Sequence, residues 1–151
     1  MGFKLGMEAK LYISEQLLDE STTPSSANWE EQDNVRDLTL NLETGEADVT
    51  TRKNNGWRAT AATLKDGSIE FEMVWDTADS GFTKIKNAWL NSEQVALAAM
   101  DGDIGTGGNQ GLASNFTVTN FSRSEPLEEA ITVSVTVKPS SFTQWYTVSG
   151  A

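Results

Sequence analysis

The chain has 151 residues, a formal net charge of −11, no cysteine and no histidine. Disulfides and thiolate metal sites are therefore excluded, and the commonest general base, metal ligand and switch near neutral pH is missing. The acidic balance argues against a basic nucleic-acid patch, and no apolar run is long enough for a membrane helix.

The length fits one domain, 1–151, large enough to hold a core without covalent staples. The N-terminal MGFKLGMEAK lacks the apolar stretch of a signal peptide. Residues 1–27 read as an N-terminal strand and arm. Within them LYISEQLL fits either a strand or a short helix, with a strand from near Lys10 expected. STTPSSA around Pro24 reads as a loop. Beyond it Leu38, Leu40 and Leu42 alternate with Asp37, Thr39 and Asn41. Ile69, Phe71, Met73 and Trp75 alternate with Ser68, Glu70, Glu72 and Val74. Ile131, Val133, Val135 and Val137 alternate with Thr132, Ser134, Thr136 and Lys138. A period of two with β-branched and aromatic residues on one side signals half-buried strands. Residues 56–64, 94–100 and 111–122 are further strand candidates. Asp66-Gly67 and Asn55-Gly56 read as two hairpin turns, because these residues tolerate positive φ.

One segment, residues 80–91, reads as a helix. Asp79 or Ser80 can cap it, and Phe82, Ile85 and Trp89 form one face that packs on a sheet. Pro139 and the serines after it are expected to end the last strand, leaving 139–151 as a C-terminal tail. Trp145 and Tyr146 make that tail apolar enough to dock on its own domain or on a neighbouring chain. The fold class is mainly β, a sandwich or small barrel with one flanking α-helix.

Chemistry is hard to find. Glu70 and Glu72 share a strand face, as paired acids do in some β-sandwich glycoside hydrolases, but any strand with a polar face has that spacing. DGDIGTGGNQG, residues 101–111, opens like a calcium loop. It has no glycine at its sixth position and Leu112 where a bidentate Glu is required, so a flexible Gly-rich connection is expected. There is no phosphate-binding loop and no nucleophile elbow. No cofactor, metal or catalytic residue is expected.

The charge distribution says more than its sum. No Lys or Arg lies between Lys10 and Arg36, or between Lys86 and Arg123, whereas Arg52, Lys53, Arg58 and Lys65 cluster. An ordinary solvated surface accounts for such runs. Thr39, Asn41, Glu70, Glu72, Thr132, Ser134 and Thr136 make strand faces of polar residues and few cations. That suits an ordinary wet face, or the wall of a channel along which an anion slides without sticking.

The blocks EADVTTRKNNGWR, LKDGSIEFEMV and SRSEPLEEAITV resemble the major tail tube proteins of long-tailed bacteriophages, with similarity over about residues 27–139. The resemblance implies a structural subunit and not an enzyme. Its hexameric rings would stack into a hollow tube in the virion tail, after assembly in the host cytoplasm. DNA would pass through without specific binding, and tape-measure and tail-terminator proteins would be partners; no membrane is involved. In similar tube proteins a loop between early strands projects towards the next ring. Residues 44–56, too long for a tight turn, are the candidate here, with Glu46, Asp48, Arg52, Lys53, Asn54 and Asn55. The acidic stretch Glu30, Glu31 and Asp33 is its expected complement. The lumen face is expected to carry Glu70, Glu72, Thr132, Ser134 and Thr136. A non-polymerising β-sandwich binding module is the second reading, and a carboxylate glycoside hydrolase the third.

Overall fold

The computed structural model describes residues 9–32, 34–125 and 127–149. Seven strands and one helix follow in the order β1 (Lys10–Ser14), β2 (Trp29–Glu31), β3 (Val35–Asp48), β4 (Thr60–Val74), α1 (Ser80–Leu90), β5 (Gln94–Met100), β6 (Gln110–Ser124) and β7 (Thr132–Thr147). They form one sheet with the order β2-β1-β5-β6-β7-β4-β3, and every neighbouring pair is antiparallel. The N-terminal strand begins at Lys10, as the strand reading required.

The sheet is rolled, with its inward faces meeting over one core. Leu11 and Ile13 of β1 share that core with Ile69, Phe71 and Met73 of β4, while Leu38 and Leu40 of β3 pack against it. These strands lie towards opposite ends of the sheet, so only curling can bring them together. Val133, Val135 and Val137 of β7 and Phe116 and Val118 of β6 complete the lining. The alternation read along β4 and β7 is thus the division between core and outside.

Helix α1 fills the core from one side through Phe82, Ile85 and Ala88. Trp89, placed in that stripe from sequence, instead stays at the rim. It is 44 % exposed and stacks on Phe121 with ring centroids 6.4 Å apart. One turn after Ile85, the small Ala88 takes the place nearest the sheet. Asp79 caps the helix, its carboxylate accepting from the Phe82 N–H at 2.8 Å and from the side-chain amide of Gln32. Gln32 is buried, and the same amide donates to Asn34. The cap therefore also ties the β2–β3 connection to the helix. Asp79→Ala removes both contacts. It should lower unfolding free energy by about 1–2 kcal/mol, read as a lower urea midpoint at unchanged slope, while Asp79→Asn should keep most of it.

Two local expectations give way to pairing. Asp66-Gly67 is not a turn: both residues lie inside β4, opposite Glu43 and Leu42. Likewise Pro139 does not end the last strand, which runs on to Thr147. β4 pairs with β7 only over Ile69–Val74, so beyond Lys138 the β4-facing side of β7 is an open edge. Such an open edge is where a sheet tolerates a proline. Register shifts in the facing part of β6 and a positive φ at Phe142 absorb the irregularity. The segment read as a C-terminal tail thus docks on its own domain, as a strand on β6.

Candidate functional site

The reverse of the sheet, facing away from the core, is of two kinds. Over β1, β5 and the start of β6 it is apolar and covered. Tyr12, Ala96, Ala98, Met100 and Ala113 lie beneath Leu18, Ala27, Ile104 and Val148. The arm after β1 is fastened there by buried Asn115, whose side chain accepts from the Leu18 N–H at 2.7 Å and donates to the Leu18 carbonyl at 2.8 Å. The Gly-rich loop is also fastened. Asp103 accepts from Gly105 N–H, Asp101 from Gln110 N–H, and the Tyr12 hydroxyl from Ile104 N–H. Both aspartates therefore satisfy backbone donors. Among the described residues no group of three His, Cys, Asp or Glu side chains is placed to hold a metal.

Over β3, β4, β7 and the end of β6 the reverse face is polar and uncovered. Thr39 pairs with Glu70, Glu70 with Thr136, and Thr136 with Asn120. Glu72, Ser134 and Ser122 form the next row, and Thr132 lies beyond Ser134 beside Val74. Register thus gathers the five proposed lumen residues on one surface. Glu70 accepts from the Asn41 amide at 3.4 Å, and Arg36 approaches Glu72 at 3.9 Å. The two acids sit on the outside of a curled sheet and not in a cleft.

The β3–β4 hairpin is the most exposed feature. Past Leu42 and Gly67 its strands pair only with each other, and no side chain from 43 to 66 is buried. The loop is shorter than the sequence suggested, covering residues 49–59, with a 3₁₀ turn at Arg52–Asn54. Glu46 and Asp48 belong to β3 instead. Asn55 and Gly56 do adopt positive φ, 52° and 84°, as that turn signal required. Thr51 caps the 3₁₀ turn, and Asn54 returns a bond to the Thr51 N–H. Thr50, through its hydroxyl and then its N–H, holds the Asp48 carboxyl below its ordinary pKa. The loop contains Arg52, Lys53 and Arg58 but no acid. Neither Arg52 nor Lys53 forms an ion pair with another described residue.

The expected acidic complement is split. Glu30 and Glu31 lie on edge strand β2, and Asp33 falls outside the described residues. Glu31 already pairs with Lys10 at 3.1 Å, a hydrogen bond and charge that hold the Lys10 ammonium above its ordinary pKa. Sequence reasoning missed the apolar residues of the arm. Leu42, Val49, Trp57 and Leu64 are 55, 50, 78 and 85 % exposed. Alternating leucines signal a buried face, and only the missing third strand shows that nothing covers this one.

A rolled antiparallel sheet with one internal helix, a bare hairpin and a bare polar face defines a structural β subunit that works through its surfaces. The family model of the phage tail tube protein matches residues 16–141, and the chain belongs to that family. No curated protein matches it by sequence. Solved structures share the fold. The tail of an empty gene transfer agent particle, refined helically with C6 symmetry, superposes with a TM-score of 0.72 at 14 % identity, over 95 % of this chain and 99 % of that one. The SPP1 tail tube gives 0.67 at 16 % identity, over 96 % and 80 %. The six-fold symmetrised baseplate of the anti-feeding prophage gives 0.56 at 8 % identity, over 93 % and 92 %.

Proposed function

We propose that this tail tube protein forms hexameric rings that stack through the β3–β4 hairpin into a tube, with the bare polar face turned to the lumen. The hairpin carries the proposal: a ribbon of two strands with no buried side chain between residues 43 and 66 is marginal alone in water. Its exposed Leu42, Val49, Trp57 and Leu64 call for another subunit. Six-fold arrangement is supported by the C6 tail whose subunit shares this fold along nearly its whole length. Head-to-tail stacking is a heterologous contact that does not close, so it grows a filament. DNA passes along a wall of Ser, Thr, Asn and Glu, which offers phosphates few cations. The subunit performs no catalysis. It sits in the virion tail after assembly in the host cytoplasm, with tape-measure and tail-terminator proteins at its boundaries.

Size-exclusion chromatography and negative-stain microscopy across a concentration series test this. Monomers or rings should dominate in dilute protein and tubes in concentrated protein. A strict monomer at every concentration and buffer, absent from the tails of assembled particles, contradicts it.

A further inference from the structure

We propose that the hairpin tip of one subunit docks on the β6–β7 loop of the subunit in the next ring, with Trp57 against Leu127 and the tip cations facing Glu128 and Glu129. This rests on the stacking function above and names the receiving surface.

Strand register places the two surfaces at opposite ends of one ladder. Val35 pairs with Met73 and Asp48 with Thr60, so β3 separates its two ends by about 44 Å at roughly 3.4 Å per residue. The β6–β7 connection leaves and rejoins the sheet beside the Val35 end, because Thr132 pairs with both Val74 and Ser124. Hairpin tip and loop therefore cannot meet within one chain. Stacked head to tail, the tip of one copy points at the loop end of the next.

The loop's chemistry complements the tip. Residues 125–131 contain Glu125, Glu128 and Glu129 and no cation, whereas residues 49–59 contain Arg52, Lys53 and Arg58 and no acid. Glu125 is engaged by Arg123, which also lies over the Trp75 ring, 5.0 Å from its centroid. The Ile131 carbonyl accepts from the Trp75 N–H at 2.8 Å, so the loop base is fastened. Glu128 and Glu129 form no ion pair with another described residue, and Leu127 is 99 % exposed. Apolar contact decides between this loop and β2. Exposed ion pairs contribute only about 0–1 kcal/mol, and interface affinity concentrates in residues such as Trp seated on an apolar partner. On β2, Glu31 is taken by Lys10, and Trp29 is half-buried with its indole N–H on the Pro24 carbonyl at 2.8 Å. Of these two acidic segments, the β6–β7 loop is the one that sets unpaired acids beside an uncovered apolar side chain among the described residues.

The chain has no cysteine, so a pair can be introduced cleanly. Full-length protein carrying Lys53→Cys and Glu128→Cys, oxidised after assembly, should give a ladder of covalent multimers on a non-reducing gel. The ladder should vanish below the assembly concentration. The rival pair, Lys53→Cys with Glu30→Cys, should give none. Leu127→Asp should raise the concentration needed for tubes by about tenfold or more without changing circular dichroism. Arg52→Glu with Lys53→Glu should do the same, and adding Glu128→Lys with Glu129→Lys should restore growth. A ladder from the Glu30 pair alone, rescue by Glu30→Lys with Glu31→Lys instead, or wild-type growth of the Leu127→Asp protein overturns the docking and leaves tube formation standing. Failure of the wild-type chain to form tubes removes both.

Discussion

Replacing residues 43–66 by a two-residue Asn-Gly turn is expected to leave a folded subunit that no longer makes tubes. Leu42 and Gly67 are cross-strand partners, so a tight hairpin can join them directly. The deletion takes away the exposed Trp57 and Leu64 but no residue of the core. Midpoint temperature should therefore shift by only a few degrees, as for other changes remote from the core. Assembly should respond in the opposite way. If the hairpin supplies the contact between rings, the truncated protein should elute as monomer or ring at concentrations where the full chain forms long tubes. Tubes of normal length from the truncated chain would show that other surfaces stack the rings. Loss of the folded state would mean that the arm stabilises the core, contrary to its exposure.

This arm also marks the limit of what could be read beforehand. Where a segment meets partners on both sides, its pattern of side chains was informative. The strand foreseen at residues 94–100 is β5 from end to end, and the Asp79 cap and the Phe82 and Ile85 face were legible because they are local to the helix. Asp66-Gly67 and Pro139 misled for one reason. Both have the chemistry of turns, and both lie where the sheet divides. Gly67 has the Leu42 side chain 3.4 Å and the Pro139 ring 3.7 Å from the position its own Cβ would take. These are ordinary van der Waals distances, and Gly67 sits in a paired strand, so the glycine neither reverses the chain nor relieves crowding. Local composition cannot say which strand lies opposite, and pairing decided both cases: with β3 at Leu42 and Glu43 for Asp66-Gly67, and with β6 at Phe116 for Pro139. The same holds for the assembly surfaces. Glu30 and Glu31 were visible as charges, but the engagement of Glu31 by Lys10 was not. The residues proposed for the lumen alternated legibly along each strand. That four strands align them into one uncovered face depended on the register of β3, β4, β6 and β7.

Tubes built from Glu70→Lys, Glu72→Lys protein are expected to retain linear DNA that wild-type tubes let go. Each substitution moves the face by two charges, and a ring repeats the change at every subunit. The side chains are outward on β4, with Thr39 opposite Glu70 and Arg36 near Glu72 on the β3 flank, and Thr136 and Ser134 opposite them on β7. The core behind them is untouched, so folding and tube growth should persist. Arg36 loses its partner at position 72, which adds to the positive potential. Lysines that contact phosphates release counterions, so retention should fall steeply with salt, with a log–log slope of about −0.9 per phosphate contact for duplex DNA. Retention alone does not separate the inner wall from the outer one, because lysines on the outside would also bind. Topology of the DNA does. A short linear duplex can thread an open tube, whereas a covalently closed circular plasmid cannot and reaches only the outer wall. Variant tubes that hold the linear fragment and ignore the circle put Glu70 and Glu72 in the lumen. Equal binding of both, or of neither, puts the polar face elsewhere and leaves another surface to line the channel.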